Sequence, residues 1–133
     1  MLMPWKDSNK LGISVIDKQH RELYKMLNEL NQAMAEGRGK NLAADLMRRL
    51  TPLICEHFDA EEKALQQRQS PAYRGCCAKH AEQLAVLQSF LRDKNASDPS
   101  AVIDLLYFLD SLLDGHIDSE RQALGLHDGE LIQ

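Results

Sequence analysis

The sequence predicts an all-α protein, an up-down-up-down four-helix bundle preceded by an extended N-terminal arm. Four amphipathic segments place their apolar residues at the three- and four-residue spacing of a helix face. Short connections that contain Gly, Ser or Pro separate these segments, and no segment alternates in the manner of a β-strand. Four such helices bury their apolar faces most simply in an antiparallel bundle.

Length and charge limit the classes of function. The 133 residues are expected to form a single domain over 1–133, and 16 basic against 20 acidic residues give a net charge of −4. Neither a nucleic-acid-binding surface nor a membrane partner is therefore expected. The N-terminus lacks an apolar signal core, and Cys55, Cys76 and Cys77 form no disulfide framework, so the expected location is cytoplasmic.

The first half of the chain contains the arm and one helix. Residues 1–16 are expected to be extended, because Pro, Asn and Gly discourage a helix there while several apolar side chains can lie on a core. The first helix is predicted over 17–36, with Asp17 as its N-cap and Gly37 ending it.

Three further helices are predicted over 41–69, 72–94 and 98–124. Pro52 lies inside the second of them, and a kink or local break is expected there. Asp98 is the expected N-cap of the last helix, with proline at its first position.

Four histidines and one carboxylate are predicted to meet. His57 and Glu61 are four residues apart, which places them roughly 40° apart on one helix face. In an antiparallel bundle the start of the first helix, the end of the second, the start of the third and the end of the fourth lie together. His20, His80 and His116 occupy those places on inward-facing stripes. Since burying four imidazoles and a carboxylate without partners is costly, the pattern predicts a metal site.

Three stretches resemble the hemerythrin family, in particular its bacterial single-domain members. They are Trp5, the segment GISVIDKQH at Gly12–His20, and the segment HFDAEE at His57–Glu62. The resemblance extends over essentially the whole chain.

The resemblance implies a four-helix bundle that holds a non-haem di-iron centre and binds oxygen. By this resemblance, His20 and His57 would serve one iron, Glu61 would bridge, and the later histidines would serve the second iron. Trp5 would line the ligand pocket.

The third helix departs from the family pattern, which has two histidines four residues apart. Only His80 is present, so either Leu84 replaces the second histidine or Cys76 replaces the first. We favour the second register, because it needs no gap after Glu61 and aligns Ser70-Pro71 with the family's Tyr-Pro. A Cys76 thiolate would be a candidate ligand, although a small buried hydrophobic residue is an equal alternative.

The fourth helix departs as well. The family's second bridging carboxylate, five residues after His116, is replaced by Arg121. A guanidinium cannot ligate iron, and helical geometry predicts that Arg121 faces outward. Glu120, four residues after His116, lies on the ligand face if the helix is regular, and is either the substitute carboxylate or one more solvated side chain.

The functional prediction is a non-haem iron protein of hemerythrin type that binds or senses oxygen or iron at a degenerate site. Dioxygen or another diatomic molecule is the expected ligand, and no enzymatic activity is expected. The altered ligands argue against reversible oxygen carriage and favour one iron or a poorly bridged pair. The alternatives are a zinc site made of Cys, two His and Glu, a metal-free structural or regulatory bundle, and a thiol sensor based on Cys76 and Cys77.

Overall fold

The computed structural model describes residues 5–93 and 99–126 and shows an all-α bundle. Within these ranges no strand occurs, which confirms the predicted fold class. A short 3-10 helix at Asp7–Asn9 precedes five α-helices: α1 Ser14–Ala35, α2 Gly39–Gln67, α3 Tyr73–Asp93, α4 Pro99–Leu113 and α5 His116–Ala123.

The predicted fourth helix is two helices, α4 and α5, so the prediction of one continuous helix is wrong. The interruption lies at Gly115, whose φ of +69° is in the left-handed region. Glycine reaches this conformation without a steric penalty, and it is the residue that most often ends a helix. The helix α4 begins at Pro99 as predicted, whereas the expected cap Asp98 lies outside the described residues.

The first helix begins three residues earlier than predicted, and Asp17 is not its N-cap. Ile13 occupies the cap position, and its carbonyl accepts the backbone N–H of Asp17 at 2.8 Å. The buried Asp17 carboxylate instead accepts the backbone N–H groups of Leu11, at 2.8 Å, and Gly12, at 3.1 Å. It therefore holds the N-terminal segment in place. That segment is only partly extended, because it contains the 3-10 helix.

Pro52 does not break α2, which continues from Gly39 to Gln67. The proline is on the exposed side of the helix, while Leu50 and Ile54 beside it are fully buried. A proline costs a helix one backbone hydrogen bond. Burial of the adjacent apolar side chains offsets that cost and keeps the helix continuous.

The core runs along the inner faces of the helices. The helix α1 packs against α2 and α4, and α2 also packs against α3. Leucines dominate the fully buried side chains, among them Leu23, Leu27, Leu46, Leu50 and Leu105. In the described part of the chain, no helix carries an apolar stretch long enough to cross a bilayer.

Candidate metal centre

The four predicted histidines and Glu61 lie together at one end of the bundle. His20 comes from α1, His57 and Glu61 from α2, His80 from α3 and His116 from the start of α5. The rings of His20 and His57 are 4.7 Å apart between centroids, and those of His57 and His116 are 5.1 Å apart. The antiparallel arrangement therefore brings together residues that are up to 96 positions apart in the sequence, from 20 to 116.

Four donors form the tightest group: one atom each from His20, His57, His116 and Glu120, all within 4.8 Å of one another. His20 Nε2 is 2.7 Å from Glu120 Oε2, and His57 Nε2 is 2.9 Å from His116 Nε2. The sequence left Glu120 as either the substitute carboxylate or a solvated side chain. Glu120 is only 1 % exposed, so the interpretation as a solvated side chain is wrong. Three of the helices, α1, α2 and α5, contribute to the group.

Several buried atoms of this group have no hydrogen-bond partner. They are both ring nitrogens of His20, both carboxylate oxygens of Glu120, and Oε2 of Glu61. His20 and Glu120 approach closely, but not at hydrogen-bonding angles. Buried polar groups without partners are rare because each costs free energy comparable to a lost hydrogen bond. A cation bound between these nitrogens and oxygens would satisfy them, so the donor set fits a metal ion.

Glu61 lies between this group and His80. Its Oε2 is 3.5 Å from His57 Nε2, 3.4 Å from His116 Nε2 and 3.6 Å from His80 Nε2. Glu61 therefore lies within 3.6 Å of three imidazole nitrogens, and a bridging role for it stays a prediction. The grouping differs from the expected one, however, because His116 lies with His20 and His57 rather than with His80.

Glu62 orients His80, a role that the sequence analysis did not assign. The Glu62 carboxylate accepts from His80 Nδ1 at 2.7 Å and from the Cys77 thiol at 3.2 Å. Phe58 stacks on the imidazole ring at 3.9 Å with an interplanar angle of 2°. With Nδ1 directed at Glu62, Nε2 is the ring nitrogen that faces Glu61.

Gln19 orients His57 in the same way. Its Oε1 is 3.0 Å from His57 Nδ1, and its amide nitrogen donates to the Glu56 carbonyl at 3.4 Å. The oxygen can only accept, so Nδ1 bears the proton and Nε2 presents a lone pair to the donor group. Gln19 directly precedes His20 in the sequence, but this adjacency alone does not signal an orienting role.

The histidines differ in their charge preference. Burial lowers the pKa of His57 to about 3, so its ring is neutral at physiological pH. Burial also disfavours a proton on His116, but the carboxylates of Glu120 and Glu61, each 3.4 Å from its Nε2, raise its pKa to about 9. The pKa of Glu61 is likewise held well below its usual range, against the effect of burial, by the nearby imidazoles of His116 and His80. Without an ion, a proton on His116 thus balances part of the carboxylate charge.

Cys76 lies beside the site but outside the four-donor group. It is half-buried and lines a small pocket together with His80 and Glu61. Burial, followed by the Glu61 carboxylate, raises the pKa of its thiol. Leu84, the alternative replacement, packs against the core. This placement fits the favoured register, and ligation by Cys76 stays a prediction.

Arg121 does not face outward, so that prediction is wrong. Its side chain is 8 % exposed, and Nη2 donates to the backbone carbonyls of Ser8 at 2.8 Å and Lys10 at 3.4 Å, while Nη1 bonds Asp118 at 3.1 Å. The guanidinium points away from the donors because the N-terminal segment offers it carbonyl oxygens. The prediction that Arg121 lies off the ligand face of its helix is correct. The N-terminal segment, however, covers the side of the helix on which Arg121 lies.

Trp5 packs against side chains of α1, away from the donors. Its ring meets Tyr24 edge-on at 5.5 Å, and the Arg21 guanidinium lies 5.5 Å from its centroid. It does not line the pocket between α3 and α5 beside His80. Its position secures the N-terminal segment on α1, and the expected pocket-lining role has no support from these contacts.

Two bacterial proteins are similar to this chain. Bacteriohemerythrin of Stenotrophomonas maltophilia (strain R551-3) is 30 % identical over 79 residues, which are 59 % of this chain and 48 % of that protein. Bacteriohemerythrin of Pseudomonas aeruginosa (strain LESB58) is 32 % identical over 62 residues, 47 % of this chain and 40 % of the relative. The chain thus spans less than half the length of either relative.

The family model described as Hemerythrin HHE cation binding domain matches residues 11–125. This range contains every candidate donor and all five α-helices. The chain belongs to the hemerythrin HHE cation-binding domain family.

Proposed function

We propose that this domain binds one non-haem iron ion through His20, His57, His116 and Glu120, with Glu61 beside it. The observation that carries the proposal is the group of four donors within 4.8 Å, several of whose atoms have no hydrogen-bond partner. Mixed imidazole and carboxylate ligands are the set that non-haem iron sites use. Membership of the family supports iron as the metal.

One iron fits the donors better than two. Among the residues that the structure describes, His80 is the only histidine on the other side of Glu61, and Cys76 stands near it with a protonated thiol. The carboxylate that would bridge from the fourth helix is replaced by Arg121, which is turned toward the N-terminal segment. The second position is therefore poor in ligands, and reversible oxygen carriage by an iron pair is not supported.

The role that follows is binding or sensing rather than carriage. When bound, the iron supplies an open coordination position for a small ligand such as dioxygen or another diatomic molecule. The residues hold the iron and orient its ligands, while Gln19 and Glu62 fix the imidazole tautomers. Catalytic turnover is not part of the proposal.

Two of the three alternatives, the zinc site and the thiol sensor, lose the observations that favoured them. A zinc site was attractive because of a thiolate ligand, yet Cys76 is not in the four-donor group. A thiol sensor needs a thiolate, but burial together with Glu61 and Glu62 raises the pKa of the Cys76 and Cys77 thiols. Both thiols are thus protonated at neutral pH.

Ligand substitutions test the proposed set. His116→Ala and His20→Ala are expected to reduce the iron content of the purified protein to a small fraction, because each removes one of four donors. His80→Ala is the matched comparison and is expected to keep most of the iron. Equal loss in His80→Ala and His116→Ala would replace the single-site account with a shared two-ion site. Stoichiometric zinc in place of iron would refute the choice of metal.

A further inference from the structure

A groove runs along the outer side of the bundle between α1 and α4, and none of the proposed metal ligands lines it. It lies between residues 27–34 of α1 and 103–110 of α4, and we call it the α1–α4 groove. Seven residues of an α-helix rise about 10 Å, so the groove follows both helices for about two turns. Its volume of about 300 Å³ is at the small end of the roughly 300–1,000 Å³ of small-molecule sites.

The lining of the α1–α4 groove is mainly apolar, and the fold leaves part of it uncovered. Leu27 is buried at its base, while Met34 and Leu106 are only partly buried beside it. Ile103 and Tyr107, one helical turn apart on α4, are 46 % and 70 % exposed. Single exposed apolar side chains are ordinary on a protein surface, but several that adjoin one groove are typical of a binding surface.

The two helices place negative but no positive charge along the groove. The helix α4 contains no lysine or arginine, and its two charged residues are Asp104 and Asp110. Asp110 is exposed and lines the groove. The lysine and arginine residues of α1, which are Lys18, Arg21 and Lys25, are rotated by more than about 100° from the side of the helix that lines the groove. An occupant of the groove therefore gains from carrying positive charge.

We propose that the α1–α4 groove binds an amphipathic helix of a partner protein, with lysine or arginine flanking the apolar side of that helix. An apolar groove two turns long accepts side chains spaced three or four residues apart on one helix face. Ile103 and Tyr107 pack between these anchors, and Asp110 pairs with a basic flank. The inference does not depend on the iron site.

A second copy of this chain fits the groove less well than a basic helix does. A two-fold axis through the groove places the same surface of both copies face to face. Asp104 and Asp110 of both copies would then share one interface, and neither α1 nor α4 would supply a basic side chain to pair with them. Like charges at that distance oppose self-association.

The test uses a labelled synthetic peptide of leucine and lysine alone, patterned as an amphipathic helix and titrated with the purified protein by fluorescence anisotropy. Tyr107→Ala is expected to weaken binding at least about tenfold, because an aromatic anchor is lost. Asp110→Asn is expected to weaken binding about threefold at low ionic strength, and less at high ionic strength, because exposed charges are screened. The same peptide with glutamate in place of lysine is expected to bind at least about tenfold more weakly.

Two control variants separate the groove from the rest of the surface. Val86→Ala removes an exposed apolar side chain from α3, and Glu29→Gln removes one negative charge from the opposite side of α1. Both should leave the affinity for the leucine–lysine peptide unchanged, and thermal unfolding checks that every variant is folded. Equal affinity of the wild type and Tyr107→Ala, or of the two peptides, would overturn the inference. Self-association that sedimentation equilibrium detects in the wild type but not in Tyr107→Ala would assign the groove to a second copy and overturn it as well.

Discussion

At the scale of single residues, the site depends on side chains that fix how each imidazole is presented. Gln19 and Glu62 accept from the Nδ1 atoms of His57 and His80, so that the Nε2 atoms face inward. His20, His57 and Glu61 could be predicted from the sequence because donors at helical spacing have a periodic signal. Gln19 and Glu62 carry no such signal, since a hydrogen bond to the far side of a ligand appears only once helices pack.

Gln19→Leu tests this orienting role. The variant keeps the volume of the side chain and removes the acceptor of the His57 proton, so the ring loses its fixed tautomer. Iron affinity is expected to fall by roughly 10- to 100-fold, the usual effect of losing such a partner. A chelator competition assay measures it.

Gln19→Glu serves as the control because it retains an acceptor oxygen, and it should keep most of the affinity. Near-normal affinity in Gln19→Leu would contradict the role. An equal loss in both variants would instead show that the site requires the Gln19 amide for another reason.

At the scale of elements, the break at Gly115 decides which carboxylate reaches the centre. The helix α5 starts at His116, and its next turn presents Glu120 inward and Arg121 to the N-terminal segment. The sequence predicted the spacing of His116 and Glu120 but not the break, because the apolar stripe continues across Asp114 and Gly115. A lone glycine near a helix end is compatible with either outcome.

Gly115→Ala is expected to destabilise the protein by roughly 1 kcal/mol, because alanine is strained in the left-handed region. A Cβ at this position would meet nothing within 4 Å, so the cost is conformational rather than steric. Thermal unfolding of the metal-free protein measures it as a lower Tm.

Gly75→Ala is the matched control. Gly75 lies inside α3, where a Cβ would also meet nothing within 4 Å and no left-handed conformation is recorded. Alanine should raise stability there by about 0.5 to 1 kcal/mol. A stabilising effect at both positions would contradict the break at Gly115.

At the scale of the whole molecule, the bundle concentrates buried charge at one end of an otherwise apolar core. Four helices deliver imidazoles next to Glu61 and Glu120, and the proton on His116 stabilises the arrangement in the absence of metal. The antiparallel topology, and with it this convergence, followed from the sequence. The balance of charge did not, because it depends on distances of a few ångströms between helices.

Metal-free protein is therefore expected to lose stability as the pH rises. The pKa of His116 is about 9 in the folded protein against an ordinary value of 6.5, so the folded state holds the extra proton between these values. The contribution of up to roughly 3 kcal/mol is fully present below pH 6.5 and is lost as the pH rises through 9. Urea unfolding at several pH values measures it.

His116→Gln removes the titrating ring and should flatten this part of the profile. Any dependence that persists in that variant comes from other titrating groups of the chain. Stability that stays constant or increases between pH 6.5 and 9 in the wild type would contradict the assignment of the proton to His116.

The central claim is a single iron site, and counting the iron tests it most directly. Metal-free protein is titrated anaerobically with ferrous iron, and bound iron is measured by Mössbauer spectroscopy on an enriched isotope. We predict saturation at one iron per chain with a single type of site. Saturation at two irons per chain, with the two ions magnetically coupled, would contradict the claim.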